Sequence, residues 1–342
     1  MENKKSAKER FLDRFFEGVE DWDKHLTESL VKEENSRHYE IGKKILEEQE
    51  DFGNVTNSEL GREIWYSNDF FINSLILNFI TDSDDELVDE LKRVYVGILG
   101  SSGFDAEAMD MDEEYDGYLI KMNFDIEIDL ILISQLFSYH IYGMQIRDER
   151  ERYKLLPEML ENLFFLMDKK ALLKKASDDN QDNIQHNLNS PRLQIASDLF
   201  VAGMSFVLGH EIGHHFLSHT ESKGKNIVSK FIPTHVTFNQ LHLDEFAADN
   251  FGFDLLLRGM KKRNDNTLFA PLIVIILLAL FDKTPEEPCQ THPSLRDRYL
   301  NLLSRISQHN EVIALTLQRI FDDVATWINV TLVGHWKTEW WK

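Results

Sequence analysis

The sequence predicts a mainly α-helical fold with one small β-sheet, an α+β protein. Apolar residues recur at three- and four-residue spacing through most of the 342 residues, the period of a helix with one buried face. The segment Tyr118 to Ile128 alternates instead with period two, as a half-buried strand does. No internal repeat is apparent, and 42% hydrophobic residues suffice for the core of one large or two ordinary domains.

In chain order, residues 5–33 and 38–50 mix charge with apolar residues at helical spacing, as in Phe11, Phe15, Phe16 and Val19. Phe70–Ile80 and Glu86–Leu99 continue as helices, closed by Gly100 and Gly103. Residues 105–116 are strongly acidic and are expected to be mobile. The strand follows, with Leu119, Lys121, Asn123, Asp125 and Glu127 on one side and Ile120, Met122, Phe124, Ile126 and Ile128 on the other. Helices return over 129–145 and 153–173, and the polar, breaker-rich stretch 177–190 reads as a surface loop. Ser190 then caps a helix that carries Pro191 in its first turn and runs to about Ser218. His219–Asn239 reads as a loop overhanging the cleft, and Gln240–Leu257 as a helix with Gly259 as its stop. The apolar run Phe269–Phe281 is thirteen residues with polar flanks, short of the roughly 20 that a bilayer crossing needs, so a buried helix is expected and no membrane span. Helices at about 294–308 and 311–330 precede a tail with Trp336, Trp340 and Trp341.

Bulk properties narrow the partners. The chain has 37 basic and 59 acidic side chains, a formal charge of −22. That field repels phosphate backbones and anionic membrane surfaces, so nucleic acid is not expected as a partner. Ordinary solubility accounts for most of the acidity. One cysteine, Cys289, excludes an internal disulfide and fits a reducing, cytoplasmic setting. The first twenty residues contain no uninterrupted apolar core, so no secretory signal is expected.

The chemistry concentrates in His210-Glu211-Ile212-Gly213-His214. Histidines four residues apart on a helix project from one face, so both imidazoles can reach one ion. Glu211 points beside that face, where a carboxylate can take a proton from an activated water without ligating the metal. About thirty residues on, Glu245 and Asp249 lie four apart on a second helix. A catalytic zinc wants three protein ligands and an open position, and two histidines plus a glutamate is a recurrent set. Glu245 fits the third ligand, with Asp244 beside it as a rival. Asp249 fits the carboxylate that fixes a ligating histidine by its other ring nitrogen, or is a solvated helix residue.

The order His210-Glu211-x-x-His214 followed by Glu245-Phe-Ala-Ala-Asp249 resembles the gluzincin metallopeptidases. Its Glu-x-x-Ala-Asp form looks most like the family of the CAAX-processing and HtpX-type membrane proteases. Thr291-His292-Pro293-Ser294, with Arg298 six residues after His292, resembles that family's downstream His-Pro segment. The resemblance covers roughly residues 190–305, and it departs from the family in lacking membrane-spanning helices. Together with the helical spacing of the N-terminal third, it divides the chain into an N-terminal helical region, 1–110, and a zincin-like catalytic domain, 111–342, with zinc helices expected at about 191–218 and 240–258. It also implies a short sheet beside the first zinc helix whose edge strand pairs with substrate backbone. Residues 118–128 are the candidate edge, and a plain hairpin strand fits their pattern equally.

The remaining histidines carry simpler readings. A third ligand of the metzincin kind belongs six residues after His214, where Thr220 stands, with glycine where Leu217 is. That reading fails, so His215 and His219 are read as ordinary helix histidines, with His215 a possible cleft residue. His242 reads as structural. His292 or Arg298 is a candidate donor to the developing oxyanion, or an anchor for its segment.

The reading is therefore a soluble zinc-dependent endopeptidase acting on a protein or peptide, with Zn²⁺ on His210, His214 and Glu245 and Glu211 as general base. One alternative is a protease cleaving a single partner, of the bacterial stress and mobile-element regulator or phage-exclusion kind. The regulator proteases usually have Asn where Asp249 stands and lack the His-Pro segment. The other is a binding module with a structural zinc, against which Glu211 argues, since a closed structural site has no use for a base.

Overall fold

The computed structural model describes residues 4–16, 69–81, 85–99, 103–168, 191–220, 239–258 and 265–342. Most of the expected N-terminal helices, the 177–190 loop, the Ser190 cap, the Gly259 stop and most of the 219–239 loop lie outside these. Among the described residues the protein is mainly helical with small sheets, as the sequence predicts. The chain divides into two units, Met1–Gly100 with Ala106–Met122, and Ser101–Asp105 with Asn123–Lys342.

The first unit contains β1 (Lys5–Ser6), α1 (Ala7–Phe15), α2 (Asp69–Thr81), α3 (Asp85–Leu91), β2 (Val94–Leu99), β3 (Ala106–Ala108), β4 (Tyr115–Asp116) and β5 (Tyr118–Asn123). A capping box starts α1: Ser6 Oγ accepts from the Glu9 amide at 3.2 Å, and Glu9 Oε2 accepts from the Ser6 amide at 2.6 Å. The apolar stripe of α1 buries Phe11 and Leu12. A Cβ on Gly97 would lie 2.2 Å from the Phe11 ring, so only glycine lets β2 approach that closely.

Several expectations change here. The helix expected over Glu86–Leu99 stops at Leu91, and Val94–Leu99 is a strand. Valine, tyrosine and isoleucine fit a pleated surface, and a six-residue apolar run does not declare its period. The alternating segment is a strand only to Asn123, and it is no edge: the sheet order is β2-β5-β3. Both sides of β5 are paired, so it has no free backbone for a substrate strand. The acidic stretch 105–116 is also partly ordered, with β3 antiparallel to β5 and Glu107 on Lys121 at 2.6 Å.

The second unit holds α4 (Asp125–Gln145), α5 (Glu149–Tyr153), α6 (Leu156–Met167), α7 (Pro191–Phe216), α8 (Gln240–Arg258), a 3₁₀ turn (Asp265–Phe269) leading into α9 (Ala270–Leu280), α10 (Leu295–His309) and α11 (Glu311–Thr331). Residues 125–128 belong to α4 because Ile126, Leu130, Ile133 and Phe137, spaced four, three and four, all fall on its buried face.

Helix α7 is the spine, packed against α4, α8 and α9. It is the one described helix long and apolar enough by composition to cross a membrane, yet 78% of its apolar window is buried inside the protein. Packing on several sides accounts for that apolarity. The apolar run that becomes α9 is buried, as expected. Trp336 donates to Ala279 O at 2.7 Å and Trp341 to Asp322 at 2.8 Å, while the Trp340 ring packs edge-on against Tyr299 and Phe321. The tail thus clamps α10 to α9 and α11, and α10 carries Arg298.

Candidate metal centre

Small residues make the site possible. Along the contact between α7 and α8, Gly209 faces Gly252 and Gly213 faces Ala248. A Cβ on Gly252 would sit 2.8 Å from the His210 amide nitrogen and 3.1 Å from Gly209 C and Phe206 O. All three are backbone atoms, so nothing flexible can yield. Gly252→Ala is expected to push the helices apart. Overpacking at about 1–3 kcal/mol outweighs the roughly 1 kcal/mol helix gain of alanine. Denaturant unfolding checks the lost stability, and a variant as stable as the native protein would contradict the close contact.

Held that near, Glu245 meets both histidines. His210 Nε2 and His214 Nε2 are 3.1 Å apart, Glu245 Oε2 is 3.6 Å from His210 Nε2, and Glu245 Oε1 is 3.4 Å from His214 Nε2. One ligating atom from each of the three residues falls within 4.8 Å of the others. Tetrahedral ligands at Zn–N distances of about 2.0–2.1 Å stand about 3.3 Å apart, so the spacing suits such an ion. The donors suit it as well. Asp249 Oδ1 accepts from His210 Nδ1 at 2.9 Å, which puts the proton on Nδ1 and leaves Nε2 a bare lone pair aimed at His214 Nε2. Asp244, the rival ligand, instead accepts from Gln240 at 2.7 Å.

Arg298 organises the carboxylates. Its Nε and Nη2 donate to Asp249 Oδ2 and Oδ1 at 2.9 and 2.7 Å, and Nη1 lies 3.4 Å from Glu245 Oε2. Burial alone would raise the Asp249 carboxyl, but the Arg298 charge and the bond from His210 hold it below its ordinary value. Burial likewise opposes ionisation of Glu245, and the bond from His214 with the Arg298 charge overcomes it. Both carboxylates therefore stay charged although buried. His214 loses basicity to burial but gains more from its bond to Glu245 and from the charge of Glu211. Glu211 is itself buried, close enough for its charge to act on His214 and Arg298.

The two candidate oxyanion donors separate. Arg298 commits its fork to Asp249 and Glu245. The His292 side chain is 56% exposed, and its Nε2 stands 3.7 Å from Glu245 Oε1 at the open side of the ligand set. Thr291 Oγ1 holds its Nδ1 at 2.8 Å. His242 Nε2 donates to Cys289 O at 2.8 Å and Asn239 to Gln290 O at 2.9 Å, so the His-Pro loop is tied to the start of α8.

A protein-family model described as Peptidase U49 matches residues 144–317, just over half of the chain, including every candidate site residue. The chain belongs to the peptidase U49 family. It is accordingly a protein of peptidase type, with protein as its substrate class. No curated protein and no solved structure matches the chain significantly.

In this U49 peptidase one contact escaped the sequence reading, which took His219 as an ordinary helix residue. His219 Nδ1 lies 3.1 Å from His214 Nδ1, with its side chain 3% exposed. Burial and the neighbouring His214 push its pKa down to about 4, so the ring is neutral. Local geometry put it there. The His219 amide donates to His214 O at 2.8 Å and the Ser218 amide to His215 O at 3.1 Å, around Ser218 at φ 59°. That is a Schellman turn with serine in the left-handed position where glycine is usual. It folds the chain back over the last turn of α7. A serine at such a position gives no sequence signal. His215, by contrast, is buried, with its Nδ1 3.2 Å from Thr220 Oγ1.

Proposed function

We propose that this U49 peptidase is a zinc-dependent endopeptidase of the gluzincin kind, with zinc on His210, His214 and Glu245. The carrying observation is the convergence of those three side chains within 4.8 Å beside the buried Glu211. The Glu-x-x-Ala-Asp spacing on α8 and the His-Pro loop tied to it support the relation to HtpX-type enzymes. Zinc bound there supplies Lewis acidity, lowering the pKa of a water towards about 7 and polarising the scissile carbonyl.

The protein's own side chains do the rest. Glu211 takes the proton of the attacking water and delivers it to the leaving amine. Asp249 fixes His210 with Nε2 outward, and Arg298 keeps Asp249 and Glu245 ionised. His292, on the open side, donates to the carbonyl oxygen as it gains charge. A closed structural zinc site takes four protein ligands, whereas three converge here among the described residues. That difference favours the enzyme over the binding module.

Zinc titration of the purified protein is expected to saturate at about one equivalent per chain. The double variant His210→Ala, His214→Ala is expected to bind none. Full zinc occupancy in the double variant would overturn the assignment.

A further inference from the structure

Each ligating imidazole has a second nitrogen whose partner decides how the ring stands. For His210 that partner is Asp249. For His214 it is His219 Nδ1, at 3.1 Å. A ligating His214 must keep Nε2 free of hydrogen, so its proton sits on Nδ1 and points at His219. His219 must then accept at Nδ1, and a neutral ring that accepts there carries its own proton on Nε2. That nitrogen lies 3.7 Å from Asp244 Oδ1, and it is buried with no hydrogen-bond partner among the described residues. Asp244 is steadied in turn by Gln240 at 2.7 Å.

We propose that His219 is the positioning residue of His214, backed by Asp244, in a chain His214–His219–Asp244 that serves the second metal histidine as Asp249 serves the first. The inference rests on the metal-centre reading above. A cation on His214 Nε2 acidifies the Nδ1 proton and strengthens its bond to His219. Charge withdrawn that way passes to His219 Nε2–H, for which closing the gap to Asp244 becomes more favourable. The two metal histidines are thereby supported unequally. His210 leans on a carboxylate that Arg298 already neutralises, and His214 on a neutral ring with a partly exposed carboxylate behind it. The Schellman turn at Ser218 aims His219, so the direct partner of His214 comes from the turn that follows its own helix, and α8 contributes only the Asp244 behind it.

The test measures Zn²⁺ affinity of the full chain by competition with a chromophoric chelator, for the native protein, His219→Ala, His219→Gln and Asp244→Asn. His219→Ala is expected to weaken Zn²⁺ by about 10–100-fold, the usual effect of losing such a partner. His219→Gln, whose amide oxygen can accept the His214 proton, should recover most of that loss, which mere space-filling would not explain. Asp244→Asn should weaken Zn²⁺ by a smaller factor. Folding of each metal-free variant is checked by circular dichroism. Should His219→Ala not fold, ¹⁵N-histidine correlation spectra of the native zinc-loaded protein decide: the expected tautomers are Nδ1–H for His214 and Nε2–H for His219. A proton on His219 Nδ1, or native affinity in a folded His219→Ala, overturns this proposal alone. A native protein that binds no Zn²⁺ overturns the metal centre and this proposal together.

Discussion

Replacing Glu211 by glutamine is expected to lower peptide hydrolysis by about 10²–10⁴-fold, the usual worth of a positioned general base, while zinc stays bound. Glutamine keeps the size and hydrogen bonding of Glu211 but cannot take the proton of the attacking water. The neighbouring carboxylate supplies the contrast. Glu245 sits against both Nε2 atoms, at 3.6 and 3.4 Å, so Glu245→Gln should weaken zinc first and lose activity through that loss. Zinc stoichiometry with single-turnover cleavage of an unfolded protein separates the two outcomes. If Glu211→Gln lost metal and Glu245→Gln kept it, the two roles would be exchanged.

Arg298→Leu is expected to destabilise the metal-free protein by about 3–5 kcal/mol, the cost of removing one partner from a buried ionic group. Its guanidinium bridges Asp249, which is fully buried, and Glu245. Leucine fills part of the space but leaves two carboxylates without their cation, and burial then drives them to protonate or to move. The same contacts extend the expectation for Asp249→Asn. Beyond a roughly 10–100-fold loss of zinc affinity, it should cost stability, because it leaves buried Arg298 with Glu245 as its one remaining carboxylate among the described residues. The measurement is thermal unfolding of Arg298→Leu beside Arg296→Leu, an exposed arginine on the same helix. The first should melt on the order of 10 °C lower, and the second should lie within about 0.5 kcal/mol of the native protein. Equal midpoints for Arg298→Leu and the native protein would mean that something other than Arg298 neutralises the pair.

The two C-terminal helices were legible because each buries one face, and burial writes itself into spacing. The run that becomes α9 and the long helix carrying His210 and His214 are buried on several sides, and continuous apolar composition, with Pro191 at the start of one and polar flanks on the other, marked them instead. The strand Val94–Leu99 was not legible, since six apolar residues fit either period and its pairing in the sheet is a non-local event. The alternation of residues 118–128 misled at its end for a related reason. Asp125-Ile-Glu-Ile128 satisfies a strand locally, yet Ile126 finds its buried partners only four and seven residues further on, in α4.

What the sequence by itself determined is whatever one helix can arrange alone. Two histidines four apart share a face, a glutamate stands beside them, and on the second helix Glu245 and Asp249 share another face, because 3.6 residues make a turn. Only the tertiary structure decided which carboxylate meets which ring. The glycine contact between α7 and α8 sets Glu245 against both imidazoles and Asp249 on His210. Arg298, 49 residues from Asp249 in the chain, is brought by α10 against both acids. His219 becomes a partner of His214 through one left-handed serine. Spacing records what lies within a turn or two of chain. Contacts made across separate segments depend on how closely two backbones approach, and a sequence read one helix at a time does not contain that distance.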